Sequence, residues 1–128
     1  MKRVVAIVAG LAASFASPAA AENWRVFEGN NGSTKGSWSL TTANGAITGH
    51  AHMVTIINQN VDYAVVGTTD GENFNLRRMG ASDGKACAYN GRVSLDRKQI
   101  QGAAHCDDGD WPWIAHFAPS APPAAGAN

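Results

Sequence analysis

Four histidines, two cysteines and a short run of aspartates are the residues of this 128-residue chain best suited to chemistry. His50 and His52 stand two apart, so on an extended strand both imidazoles leave one face and could chelate a metal ion, with His105 or His116 completing the set. The plainer reading, surface histidines on the polar face of a half-buried sheet, is preferred, and no metal or cofactor is expected. Asp107-Asp108-Gly109-Asp110 offers oxygen ligands for calcium in a tight turn. It lacks the spacing and closing Glu of an EF-hand loop, and an Asp-Gly hairpin turn before Trp111 fits it better. Serines and histidines are present without a nucleophile elbow, and Asp62 with Glu72 is the one carboxylate pair that could share acid/base work. No enzyme is expected. Trp111-Pro112-Trp113 sets two aromatics on one side of a strand, where they would close a core or meet a sugar or a partner. Trp38, Tyr63, Trp111 and Trp113 are therefore the candidate contacts to a ligand or partner.

The chain opens with Met1-Lys2-Arg3, continues in an apolar stretch from Val4 to Ala13, and reaches Ala19-Ala20-Ala21. That order of basic, apolar and small residues is a secretory signal peptide over 1–21, and places the mature protein in the periplasm or outside the cell. A retained anchor would need roughly 20 strongly apolar residues, whereas this run is alanine-rich and interrupted by Ser14, Ser17 and Pro18. No later segment suits a membrane span. Without Lys2 and Arg3, eight basic residues face ten acidic ones, a net of −2, which disfavours a nucleic-acid partner. In an oxidising compartment Cys87 and Cys106 either pair or remain free thiols. A hairpin centred on Asp96-Arg97, whose partners sum to 193, sets Cys87 directly opposite Cys106 and favours the bond.

What must position these residues is a run of short strands. Turn signals recur at Asn30-Asn31-Gly32, Asn44-Gly45, Gln59-Asn60, Asp70-Gly71, Asp83-Gly84, Asp96-Arg97 and Asp108-Gly109. Between them the pattern predicts strands over 23–28, 36–42, 46–58, 61–69, 73–79, 86–95, 98–106 and 111–118. Alternation gathers Trp38, Leu40, Ile47, Ala51, Met53, Tyr63, Phe74, Leu76, Cys87, Tyr89, Ile100 and Trp113 on an inner face, and Ser37, His50, His52, Asp62, Asn75, Arg77 and His105 on an outer one. The expectation is an all-β fold: an antiparallel up-and-down meander of about 7–8 strands over 22–118, closed as a small barrel or sandwich. A Pro/Ala-rich, disordered tail over 119–128 follows. Ile47 to Met53 and Ile100 to Cys106 share Ile, Gly, Ala and His at equal offsets, as two strands in equivalent places of two half-sheets would.

Gly36-Ser37-Trp38, opening a long strand of an exported meander, resembles the start of the calycin group of up-and-down barrels, the lipocalins and avidins. The resemblance implies that Trp38 closes one barrel end while the other faces a small apolar ligand. Gly36-Ser37-Trp38-Ser39-Leu40 also resembles the small periplasmic metalloprotease-inhibitor barrels, which carry one disulfide. On that likeness the partner is a protease or another hydrolase, and residues 22–35 are a trunk that engages it. The expected function is a non-enzymatic binding module for a small molecule or a partner protein.

Overall fold

The computed structural model describes residues 21–119, so the leader over 1–20 and the tail from residue 120 lie outside the described residues. Eight strands follow one another: β1 (Ala21–Glu28), β2 (Thr34–Ala43), β3 (Ala46–Val54), β4 (Asn60–Thr69), β5 (Asn73–Met79), β6 (Cys87–Val93), β7 (Gln99–Cys106) and β8 (Gly109–Phe117). Each pairs antiparallel with the next, and β1 pairs with β8, so the meander closes into a barrel. At eight strands the lumen is just wide enough for side chains to fill.

Turn chemistry sets the register. Asn44 and Gly45 both take positive φ (54° and 81°), the conformation a two-residue hairpin between Ala43 and Ala46 requires. Asp96 and the left-handed Arg97 (φ 63°) turn the β6–β7 hairpin, whose register pairs Cys87 with Cys106; the two are disulfide-bonded, with Cα atoms 3.9 Å apart. Strand pitch explains two glycines: a Cβ on Gly36 or Gly102 would strike the backbone of the neighbouring strand at Met53 or Gly91.

The predicted inner face is the core, with Trp38, Leu40, Ile47, Met53, Tyr63, Val65, Tyr89, Ile100 and Trp113 all buried. Trp38 and Trp113 stack at 5.2 Å between ring centroids, and Tyr89 meets both edge-on at 5.1 and 5.5 Å. The middle of the barrel is thereby filled. β3 and β7, the two strands that echo each other in sequence, lie four strands apart, equivalent places in two halves of four.

Two expectations are corrected. The strand predicted over 46–58 ends at Val54, because Thr55 to Gln59 form a turn with Asn58 at φ 64°, leaving Ile56 and Ile57 78% and 76% exposed rather than in a sheet. The segment 22–35 is not a free trunk: its first half is β1, a stave bonded on both edges, followed by one 3-10 turn over Asn30–Gly32 and the start of β2.

Candidate functional site

Strands β1 and β8 begin and end at one rim, so both ends of the described chain leave the barrel there, whereas the other rim is made only of turns. That second rim carries the buried charges. Along β1 the inward positions run Trp24, Val26, Glu28, and along β5 they run Phe74, Leu76, Arg78; each series ends in a charged residue as the strand reaches the rim. Arg78 Nη2 donates to Glu28 Oε2 at 2.9 Å, with both side chains almost wholly buried. Tyr89 Oη and Trp111 Nε1 each donate to the same carboxylate at 3.2 Å. Glu28 is thus bound by three donors and compensated in charge.

The bonds continue inward with one sense. Tyr89 spends its proton on Glu28 and its oxygen accepts from Arg78 Nε at 2.8 Å, so across the 3.4 Å contact Tyr63 must be the donor. The Tyr63 oxygen in turn accepts from Trp38 Nε1 at 3.1 Å. Burial, then the charge of Glu28, pushes the Tyr63 hydroxyl up to about 12 against the pull of Arg78; burial, Tyr63 and Glu28 push Tyr89 higher still. Both hydroxyls therefore remain donors at neutral pH. Burial alone would lower Arg78, but Tyr89, Tyr63 and Glu28 outweigh it and raise it, and the guanidinium lies 4.3 Å from the centroid of the Tyr63 ring.

Above this floor opens a cavity of about 280 Å³ walled by Glu28, Arg78, Asp83, Lys85, Trp111 and the hydroxyl-bearing Ser33, Thr34 and Thr55. Its ionisable walls balance, two acidic against two basic. Arg78 Nη1 is ion-paired with Asp83 at 3.6 Å, longer than a hydrogen bond, while Lys85 is held by Asp108 at 2.7 Å. At the opposite rim a second cavity, about 320 Å³, is bordered by Trp24, Phe74, Val93 and Phe117 with Glu22, Asp96, Arg97 and Lys98 around them.

Of the four candidate contacts, Trp111 is half-buried and borders the first cavity; Trp38, Tyr63 and Trp113 are buried in the packed middle of the barrel. His50 and His52 share the outer face of β3, but His105 lies on β7 and His116 on β8 against Phe27, so the four do not converge. The aspartate run makes no calcium nest: Asp107 accepts from the Ala86 N–H, Asp108 binds Lys85 and Asp110 lies 3.1 Å from His105. Asp62 pairs with His52 on β3, while Glu72 pairs with Arg92 on β6, so they share no site. Glu28, Cys87 and Cys106 are close enough to share a metal ion, but both sulfurs are spent in the disulfide. Glu28 and Arg78 were missing from the sequence expectations. For Arg78 the signal was the inner-face alternation carried one inward position beyond Leu76; for Glu28 it was the alternation of Trp24 and Val26, on a strand that the predicted inner face does not include.

No protein-family model matches the chain, and no curated protein matches it either. The likeness is structural. A redesigned β-barrel, mFAP1, solved bound to DFHBI, superposes with a TM-score of 0.63 at 12% sequence identity, over 75% of this chain and 92% of that one. The match shows the fold alone, a closed antiparallel β-barrel. No helix among the described residues is long and apolar enough to cross a membrane.

Proposed function

We propose that the protein is an exported, non-enzymatic binding module of calycin-like type that takes a small polar molecule at the turn-only rim. The observation that carries this reading is the Glu28–Arg78 pair, buried as the floor of an open cavity above the packed middle of the barrel. Buried charge is costly to fold around, and a rim lined by Leu or Val would serve a filled barrel as well. The size of the cavity, just under the range of about 300–1,000 Å³ usual for small-molecule sites, limits the ligand to something compact. Balanced charge, three hydroxyl-bearing walls and the indole of Trp111 suit a neutral molecule rich in hydroxyl or amide groups. An apolar ligand deep in the lumen, as the calycin resemblance implied, would have to displace the stacked Trp38 and Trp113. The redesigned barrel's binding of a small molecule supports the general reading, and the leader with Ala19-Ala20-Ala21 and the disulfide support export.

A thermal-shift panel of monosaccharides, polyols and small amides tests it. At least one should raise the melting temperature of the wild type and fail to raise that of Thr34→Trp, which plugs the cavity. A shift shared by the plugged variant, or a response only to apolar compounds, would contradict the assignment. A second reading, inhibition of a hydrolase by protein contact, is favoured by one feature: Ile56 and Ile57 stand exposed on a turn at the same rim. Loss of inhibition in Ile56→Ser/Ile57→Ser against a protease panel would select it.

A further inference from the structure

We propose that the outer face of β3 is a metal site in which His50 and His52 together bind one divalent transition ion, copper most tightly. The two imidazoles leave the same face of the strand two residues apart, and both are exposed. The sequence pattern goes no further than that. The structure adds Asp62, directly across on β4, whose Oδ1 lies 2.5 Å from His52 Nδ1. A carboxylate on Nδ1 accepts a proton held there, fixes the ring plane and leaves the Nε2 lone pair for an ion, the orienting contact usual for metal-binding histidines. Asp62 is itself steadied, its backbone N–H donating to Ser82 Oγ at 2.9 Å. Ser37 stands across β2 from His52, and Ser39 from His50, so hydroxyls flank the pair where metal-bound water would need acceptors. These residues, with Met79, border one open groove on the barrel wall.

The other half of the barrel supplies an internal control. His105 on β7 occupies the place equivalent to His52 and likewise faces an aspartate across the ladder, Asp110 at 3.1 Å from its Nδ1. There the resemblance stops: Ala103 stands where β3 has His50, and the Nε2 of His105 is 3.3 Å from the Asn90 amide. Only β3 offers two imidazoles, with the Nε2 of His52 free of protein partners among the described residues. Two imidazoles with water and hydroxyl oxygens suit copper, nickel and zinc, and at such a site copper should bind tightest.

Calorimetric titration of the mature, untagged, disulfide-intact protein with copper(II) and zinc(II) chloride tests the site. One ion per chain is expected, with copper tighter than zinc. His50→Ala and His52→Ala should each weaken copper binding at least about tenfold, and Asp62→Asn by roughly 10- to 100-fold. His105→Ala should leave it unchanged. All four positions are exposed, and circular dichroism of each variant separates lost binding from lost fold. Absence of binding to the folded wild type would overturn the proposal, as would full affinity in His50→Ala or dependence on His105.

Discussion

Replacing Arg78 by Met should destabilise the barrel more than any other single change at the rim. Among the described residues Arg78 supplies the only positive charge in contact with Glu28, through a 2.9 Å bond, and it donates to Tyr89 at 2.8 Å. Methionine fills comparable space but strands the carboxylate with two neutral donors, Tyr89 and Trp111. Breaking a buried ion pair in this way costs about 3–5 kcal/mol, against a total of about 5–15 kcal/mol for a domain of ordinary stability. Urea unfolding followed by tryptophan fluorescence, with the disulfide intact, reads the loss directly. The decisive partner is Arg78→Met/Glu28→Gln. Glutamine keeps an oxygen for Tyr89 and Trp111 but carries no charge, so the double variant should recover roughly 2 kcal/mol or more of what the single one lost. A cost below about 1 kcal/mol for Arg78→Met, or a double variant no better than the single, would show that water reaches Glu28 and that the floor is not a buried charge site.

Other consequences are as direct. Trp38→Ala, which empties the centre of the aromatic stack, should cost on the order of 3–5 kcal/mol, whereas His52→Ala, on the solvent face, should leave the metal-free unfolding midpoint nearly unmoved. Tyr63 and Tyr89 are the chain's two tyrosines, and both are raised in the folded state, so in that state they bind protons that the unfolded chain releases near pH 10. Their stabilising contribution is complete below pH 10 and is lost as pH climbs toward about 12; absorbance near 295 nm should show no tyrosinate at pH 10.5 in native protein and a substantial fraction in urea. Reducing Cys87–Cys106, which are 19 residues apart, should lower stability by about 3 kcal/mol in the chain-entropy picture, and thiol titration of the unreduced, denatured protein should find none free.

Most of the scaffold was legible because one-sided burial imposes a period of two on a strand, and this chain keeps that period from Trp38 to Trp113. The disulfide register was legible for a local reason, since the centre of a hairpin determines every pair along it. Closure as a barrel or sandwich was expected from the one-sided meander, but not the ladder that makes it: β1 and β8 join residues some ninety positions apart, and no local pattern announces that pairing. Glu28 and Arg78 meet only once the barrel has closed, so their partnership could not be read from either strand, although the inner-face slot of each could have been. Ile56 and Ile57 misled for the opposite reason: two β-branched apolar residues resemble the end of a strand, while Asn58 turns the chain and leaves them in water. At the metal site the sequence supplied His50 and His52; Asp62, the residue that separates this pair from an ordinary exposed one, came from the β3–β4 register.

The central claim, a packed lumen with its ligand site confined to the turn-only rim, is tested most directly by the four indole N–H signals in a nitrogen-15 correlation spectrum. Trp111 borders the rim cavity, Trp38 and Trp113 form the stacked centre, and Trp24 belongs to the opposite rim. On titration with whichever hydroxyl-rich compound gives the largest thermal shift, the Trp111 signal should move in a saturable way while those of Trp24, Trp38 and Trp113 hold still. Movement of Trp38 and Trp113 with Trp111 unmoved would place the ligand inside the barrel and contradict the account.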